Sequence, residues 1–250
     1  MTSLRFFIDV DRFEVGETVF LEGSEFHHIR AVVRIQEEEE VALVNGKGWF
    51  AKGRVEALER HRCAIRILSC EHKQAPAPKL YLGISLLRPN HLDFAIEKGT
   101  EVGVDRFILF PADKSERKEA SPSMKRRLDA IITAAVKQSG RGFRPEVQEA
   151  RGLQEAFSML PAPRLFADLQ EQALSLSKHL EGLSCDKPLS ILIGPESGWS
   201  DGEKALLLKE GSPVHLHANV LRAETAAVVA AYTASLWFHN LSHPSPQEAE

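Results

Sequence analysis

The sequence predicts an α/β protein in which a mostly parallel sheet with helices on both faces follows a smaller, β-rich domain. Three observations carry this expectation. From residue 79 to 240, apolar runs of strand length alternate with amphipathic stretches of helix length, the pattern of a parallel sheet built from strand–helix units. The first seventy residues instead hold short strand-like runs separated by Gly, Asp and Asn, as in small barrels. Between them, residues 71–78 (EHKQAPAP) change composition abruptly and read as a short, stiff linker. The expected division is a first domain over 1–72, a linker over 73–78, a second domain over 79–240 and a flexible tail over 241–250. At 250 residues and 43% hydrophobic content, the chain can bury a core for one large or two unequal domains.

In the first domain, Leu4–Val10 and Thr18–Leu21 read as short strands. Residues 26–34 (FHHIRAVVR) are more helical. On a helix Arg30 and Arg34 would lie four apart on one face, a reasonable pair for phosphate. His27 and His28 either pack and cap that helix or contact a nucleic-acid backbone. Val41–Val44 and Trp49–Val55 flank Asn45-Gly46-Lys47-Gly48, a tight-turn sequence, and His61–Leu68 alternates like a further strand.

The second domain opens with KLYLGISLL, a strand closed by Arg88-Pro89, with Asn90 expected to cap the following helix. Gly99 and Gly103 sit in that helix and either permit close packing or end it. Asp105–Pro111 is the next strand, and Met124, Leu128, Ile131, Ile132, Ala135 and Val136 mark an apolar helix face. Val147–Met159 is expected as a helix, Arg164–Ala167 as a strand and Glu171–Leu180 as a helix.

Charge and cysteine content exclude several classes. The formal net charge of −4 gives no bulk attraction to nucleic acid, so a local patch must supply it. Residues 106–144 hold ten basic side chains against four acidic ones. With Gln138-Ser139-Gly140-Arg141 closing a helix, this stretch either holds a phosphodiester backbone or is a solvated surface. Cys63, Cys70 and Cys185 show no paired metal spacing, so no metal site is expected. No secretory leader and no membrane-length apolar run is found, which points to a cytoplasmic protein.

Residues 188–231 organise the rest. They read as strand (PLSILIG), loop (PESGWS), helix (DGEKALLLKEGS), strand (PVHLHANV), loop and alanine-rich helix (LRAETAAVVAA). The polar and glycine-containing residues fall at the ends of two strands, where parallel sheets bind ligands. Ser200 and Glu203 fit a capping box. Arg222 and Glu224 either pair with each other or orient a substrate or a neighbouring subunit. Ser197 has no triad and no G-x-S-x-G setting, and neither G-x-G-x-x-G nor a Walker motif is present.

Taken in order, RFFI near the start, HHIRAVVR, EKGTEVG, AAVKQSGR, IGPESGWSDGE and LHANVLRAETAA resemble the bacterial family of small-subunit ribosomal RNA uridine N3-methyltransferases. The resemblance spans about residues 4–238. It implies a PUA-like β-barrel for RNA binding, then a SPOUT-type domain whose deep trefoil knot binds S-adenosylmethionine. It also implies a homodimer, and as partner the 16S ribosomal RNA of an assembled or nearly assembled small subunit. Carried onto this chain, the cofactor residues are Ile193, Gly194, Pro195, Glu196 and Gly198 with Leu216, His217, Val220, Leu221 and Thr225. Arg222 and Glu224 order the reacting groups, with His217 as a possible proton acceptor. Arg30, Arg34, Gln138 and Arg141 match positions near RNA. The chain departs from the family pattern at Ser197 and His217, where glycine is usual, and at Arg88-Pro89, where Lys-Gly is usual. A positive φ at Ser197 or His217 would be strained, and His217 would then crowd the cofactor. The alternatives are a methyltransferase of another RNA nucleotide, a non-catalytic ribosome-associated RNA binder and an unrelated small-molecule enzyme.

Overall fold

The computed structural model describes residues 5–30, 34–170, 173–184 and 186–242. The expected tail from residue 243, Cys185 and the start of the helix expected from Glu171 lie outside these residues. The chain divides into two compact units, one of residues up to 75 with 133–144, the other of 76–132 with 145 onward.

The first unit is a five-stranded sheet in the order β1-β3-β4-β5-β2, with β1 Arg5–Phe7, β2 Thr18–Glu22, β3 Glu40–Val44, β4 Trp49–Leu58 and β5 Arg62–His72. β1 runs parallel to β3 and the other pairs are antiparallel. β4 shows why such segments become strands: Ala51, Gly53 and Val55 are buried while Lys52, Arg54 and Glu56 face solvent, the period-two alternation of a half-buried strand. Phe6, Phe13, Leu21, Leu43, Ile65 and Ile67 fill the core beneath it. The barrel expected from the sequence is not closed by a β1–β2 pairing among the described residues. Burial pushes the Cys63 thiol up to about 11.

Helix α1, Gly23–His28, is shorter than expected. Residues 29–30 continue as a wider turn, and Arg34 has φ 57°, a left-handed conformation that no helix continues through. The residues between Arg30 and Arg34, on which the expected shared face depends, lie outside the described ones. His27 is exposed.

The turn after β3 is held by a buried side chain. Asn45 Nδ2 donates to the carbonyls of Val10 (3.2 Å) and Asp11 (3.1 Å), and Oδ1 accepts from the amides of Lys47 (2.9 Å) and Trp49 (3.1 Å). The positive φ values fall on Gly46 and Gly48. Asn45→Ala strands four backbone groups at a site only 1% exposed; it is expected to cost about 2–4 kcal/mol, read as a lower urea midpoint at unchanged slope.

The second unit is a seven-stranded sheet in the order β10-β12-β9-β11-β6-β7-β8, with every pairing parallel. Its elements are β6 Leu80–Ser85, α2 Pro89–Val102, β7 Arg106–Phe110, α3 Pro122–Ser139, β8 Glu146–Glu149, α4 Leu153–Met159, β9 Arg164–Ala167, β10 Leu174–Ser175, α5 Leu176–Glu181, β11 Leu189–Ile193, α6 Asp201–Glu210, β12 Ser212–His215 and α7 Ala223–Ser242. The residues of α3 from Thr133 belong to the first unit. All five residues of β11 are buried, as in a strand covered on both faces. One face carries α4 and α6, where Phe157, Leu160 and Leu207 pack on Ile108, Phe110, Phe166 and Leu192. The other carries α2 and α7, which pack on each other while α7 also contacts β6 and β11. Ala227, Ala230, Ala231 and Ala234 of α7 are fully buried; their small side chains let the helix approach closely.

Three local expectations are corrected, and the two roles open to the glycines of α2 are divided between them. Arg88, not Asn90, is the N-cap of α2, with Pro89 in the first turn, where a missing amide costs nothing. Gly103 ends α2 at φ 107°, whereas Gly99 allows close packing, since a Cβ there would meet Phe107 ring carbons at 2.9 Å. The helix expected over Val147–Met159 is two elements: β8 pairs with β7, and α4 starts only at Leu153. The helix expected over Glu171–Leu180 forms only from Leu176, as α5, because residues 174 and 175 pair as β10.

Candidate functional site

Segments leaving the C-terminal ends of five parallel strands converge on a cavity of about 820 Å3, a size typical of small-molecule sites. Its lining comes from Arg88 and His91 after β6, Lys114 after β7, Ala167–Leu169 after β9, residues 193–199 after β11, and most of 215–226 after β12. β11 lies between β9 and β6, and β12 between β10 and β9. Both late strands are thus threaded between earlier ones, which brings their loops side by side over the sheet. Crevices where strand order changes direction are where such sheets bind ligands.

The loop after β11 is rigid for identifiable reasons. Gly198 has φ 72° and donates to the Pro195 carbonyl at 2.8 Å, closing a turn. Trp199 is 5% exposed, lies parallel to Phe110 and donates from Nε1 to the Ala167 carbonyl at 2.9 Å. The capping box holds as expected: Ser200 Oγ accepts from the Glu203 amide and Glu203 Oε2 accepts from the Ser200 amide. The buried Glu203 also accepts from the Asp113 amide at 2.9 Å, and Lys114 Nζ donates to the Trp199 carbonyl at 3.0 Å. The segments after β7 and β11 are thereby tied together. Neither Ser197 nor His217 has positive φ, so the anticipated strain is absent.

In the loop after β12, His217 is exposed and its Nδ1 accepts from the Asn219 amide at 3.0 Å. The neutral ring then carries its proton on Nε2, so neither nitrogen is poised to accept another. Arg222 is exposed, and among the described residues no carboxylate lies within ion-pair distance of it; the Arg222–Glu224 pair is not formed. Glu224 is buried at 8% exposure.

Glu224 instead faces a residue that the sequence reading left unassigned. His91 Nδ1 lies 3.2 Å from Glu196 Oε1 and 3.5 Å from Glu224 Oε2. Glu196 Oε1 also accepts from the Arg88 amide at 3.2 Å. The start of α2, the β11 loop and the start of α7 thus meet at one imidazole. Asp168 accepts from Lys204 Nζ at 3.2 Å. Asp168, Glu196 and Glu224 are the carboxylates of a lining that also holds Arg88, Lys114, Lys204 and Arg222, while Ile193, Leu216, Val220 and Leu221 add apolar surface.

Of the residues singled out in the sequence, Ile193, Gly194, Pro195, Glu196, Gly198, Leu216, His217, Val220, Leu221, Arg222 and Glu224 all line this cavity, and Thr225 does not. Arg30, Arg34, Gln138 and Arg141 belong to the first unit. There Lys137 Nζ binds Glu25 Oε1 at 2.5 Å and Arg5 Nη1 donates to the Lys137 carbonyl at 3.1 Å, which fastens the end of α3 to α1 and to β1. Arg30 and Gln138 are exposed. His91, Lys114, Asp168 and Trp199 were missed. The signal for three of them was positional: Lys114 and Asp168 follow the ends of parallel strands, and His91 opens the helix after one. A second cavity, about 450 Å3, is lined by residues around Ala112, Arg151–Gln154 and Gly202–Leu206.

A family model described as an RNA methyltransferase domain matches residues 73–235, and one described as an RNA methyltransferase PUA domain matches 21–68. Curated relatives include the ribosomal RNA small subunit methyltransferase E of Bacillus subtilis, 26% identical over 90% of this chain and 93% of its own length. The protein of that name from Mycobacterium tuberculosis is 27% identical over 92% and 90%. Among solved structures, that of a ribosomal RNA small subunit methyltransferase E from Neisseria gonorrhoeae bound to S-adenosyl methionine matches with a TM-score of 0.79 and 26% identity, covering 92% of this chain and 95% of that one.

Proposed function

This chain belongs to the RNA methyltransferase family, and from that premise we propose that it uses S-adenosylmethionine to methylate N3 of a uridine in 16S ribosomal RNA. The observation that carries the proposal is the cavity between the β11 and β12 loops. It lies within the matched domain, and the similar ribosomal RNA small subunit methyltransferase E from Neisseria gonorrhoeae was solved bound to S-adenosyl methionine.

The lining fits such a cofactor. A sulfonium and an ammonium are cations, and the site offers Asp168, Glu196 and Glu224, with a buried oxygen on Asp168 that has no hydrogen-bond partner among the described residues. Backbone groups of Ile193, Gly194, Pro195, Glu196 and Gly198, and of Leu216, His217, Val220 and Leu221, would hold its neutral parts, with Thr225 supporting them from the first turn of α7. When bound, the cofactor supplies an electrophilic methyl group already activated by the sulfonium, so no metal is needed. The exposed Arg222 guanidinium favours the imide anion that develops as N3 loses its proton, and Glu224 orders the groups around it. The target base must lie outside its stack to enter.

Arg30, Arg34, Gln138 and Arg141 act as phosphate and RNA contacts in this reading, with the first unit as an RNA-binding PUA-like domain and small-subunit ribosomal RNA as partner. The threading of β11 and β12 between earlier strands supports a deep trefoil knot. Exposed Phe94 on α2 and Tyr232 and Leu236 on α7, on helices that pack together, support a homodimer. Among the described residues no helix is long and apolar enough to cross a membrane, consistent with a cytoplasmic enzyme.

Incubation of the full chain with methyl-labelled S-adenosylmethionine and unmodified small ribosomal subunits, with free ribosomal RNA in parallel, tests this. Labelled N3-methyluridine found by nucleoside mass spectrometry is the expected product, with the assembled subunit preferred. Label on another nucleoside would overturn the position assigned. No label, beside an active relative that labels the same subunits, would overturn the activity and favour a non-catalytic RNA binder.

A further inference from the structure

We propose that His91 is the general base that takes the proton from N3 of the target uridine, held for that task by Glu196 and Glu224. The inference rests on the methylation proposed above and supplies the group that its chemistry requires.

Three observations lead to it. First, both groups facing Nδ1 are carboxylate oxygens, at 3.2 Å and 3.5 Å. An ionised carboxylate only accepts, so Nδ1 must carry the hydrogen and the neutral ring must hold its lone pair on Nε2. Second, Nε2 has no protein partner among the described residues, and the side chain lines the cavity. This is the arrangement in which a carboxylate fixes tautomer and ring orientation while the far nitrogen works as a base. Third, the competing groups are disposed wrongly. His217 is in the opposite tautomer because Nδ1 accepts from Asn219. Glu224 Oε2 is sealed from solvent, so a substrate cannot reach it, and Arg222 is a cation.

The charged groups around the imidazole come from each packed segment: Glu196 from the β11 loop, Glu224 from α7, and Arg88 from the start of α2, whose guanidinium is engaged by Glu116 at 2.5 Å. In the step itself the N3–H bond breaks and its proton passes to Nε2. The N3 electron pair takes the methyl carbon, and the carbon–sulfur pair returns to sulfur, which loses its charge. The imidazolium then releases the proton to water. Glu196 and Glu224 are positioning residues in this scheme: they touch the imidazole and stabilise the imidazolium.

The first readout needs no turnover. Long-range 15N–1H NMR of the imidazoles in the full chain is expected to find His91 with its hydrogen on Nδ1 and His217 with its hydrogen on Nε2. The second is single-turnover methylation of small ribosomal subunits. His91→Gln is expected to slow it by about 10²–10⁴-fold, the range of a lost general base, with S-adenosylmethionine affinity within about threefold of wild type by calorimetry. Added imidazole should restore rate to His91→Ala, and the acid limb of the wild-type pH profile should vanish in His91→Gln. Glu196→Gln and Glu224→Gln should slow the step less than His91→Gln does and shift the His91 nitrogen resonances. An Nε2–H tautomer at His91, or a His91→Gln enzyme within threefold of an active wild type, overturns the assignment alone. A wild type that methylates nothing overturns the activity, and the base with it.

Discussion

Gly194→Ala is expected to weaken S-adenosylmethionine binding by at least about tenfold, a loss of roughly 1.4 kcal/mol, and to destabilise the second unit by about 1–3 kcal/mol, the usual cost of overpacking. The reason is the face of Trp199. A Cβ on Gly194 would meet three of its ring carbons at 2.9, 3.0 and 3.2 Å. The ring cannot yield cheaply, because its Nε1 is engaged by the Ala167 carbonyl and it is buried beside Phe110. The strain would therefore move the loop, and with it the backbone of Pro195 and Glu196. Calorimetric titration of S-adenosylmethionine and urea denaturation check both halves. Affinity and midpoint unchanged within error would show that the loop has room this geometry denies it.

Removing the indole should have the larger effect on stability. Trp199 is 5% exposed, packs in the cluster with Phe110, Phe166 and Leu207, and ties the β11 loop to the end of β9. Trp199→Ala is expected to cost about 3–5 kcal/mol, in the range for emptying a large aromatic site, and to abolish measurable cofactor binding by releasing the loop. Trp199→Phe keeps most of the packing but leaves the Ala167 carbonyl without its donor, at about 1–2 kcal/mol. The two variants thus separate packing from tethering. Equal midpoints for both would mean that the hydrogen bond, rather than the buried ring, holds the loop.

The parts of this structure that the sequence made legible are those decided by local physics. The strand Arg164–Ala167 and the strand Leu189–Ile193 are found where their apolar runs place them, and the Ser200–Glu203 box forms because both partners lie within one helical turn. Local reading failed where tertiary pairing decided. Glu146–Glu149 carries helix-compatible residues, yet β7 offers it an open edge and the segment becomes a strand. Arg34 looked like a continuation of a helix, but the chain turns left-handed there. The loops at the cavity were legible through their motifs. His91 was not, because the carboxylates that give it meaning lie 105 residues away at Glu196 and still farther at Glu224. Only a sheet order that places β11 beside β6 brings them together, and no periodicity encodes that order.

The most direct test of the central claim, that the β11 and β12 loops form the cofactor site, is ultraviolet cross-linking of methyl-labelled S-adenosylmethionine to the full chain, followed by peptide mapping. Saturable label confined to residues 193–199 or 215–226 is the predicted result. Label concentrated instead on the second cavity around Ala112 and Arg151–Gln154, or on residues 5–75, would contradict it.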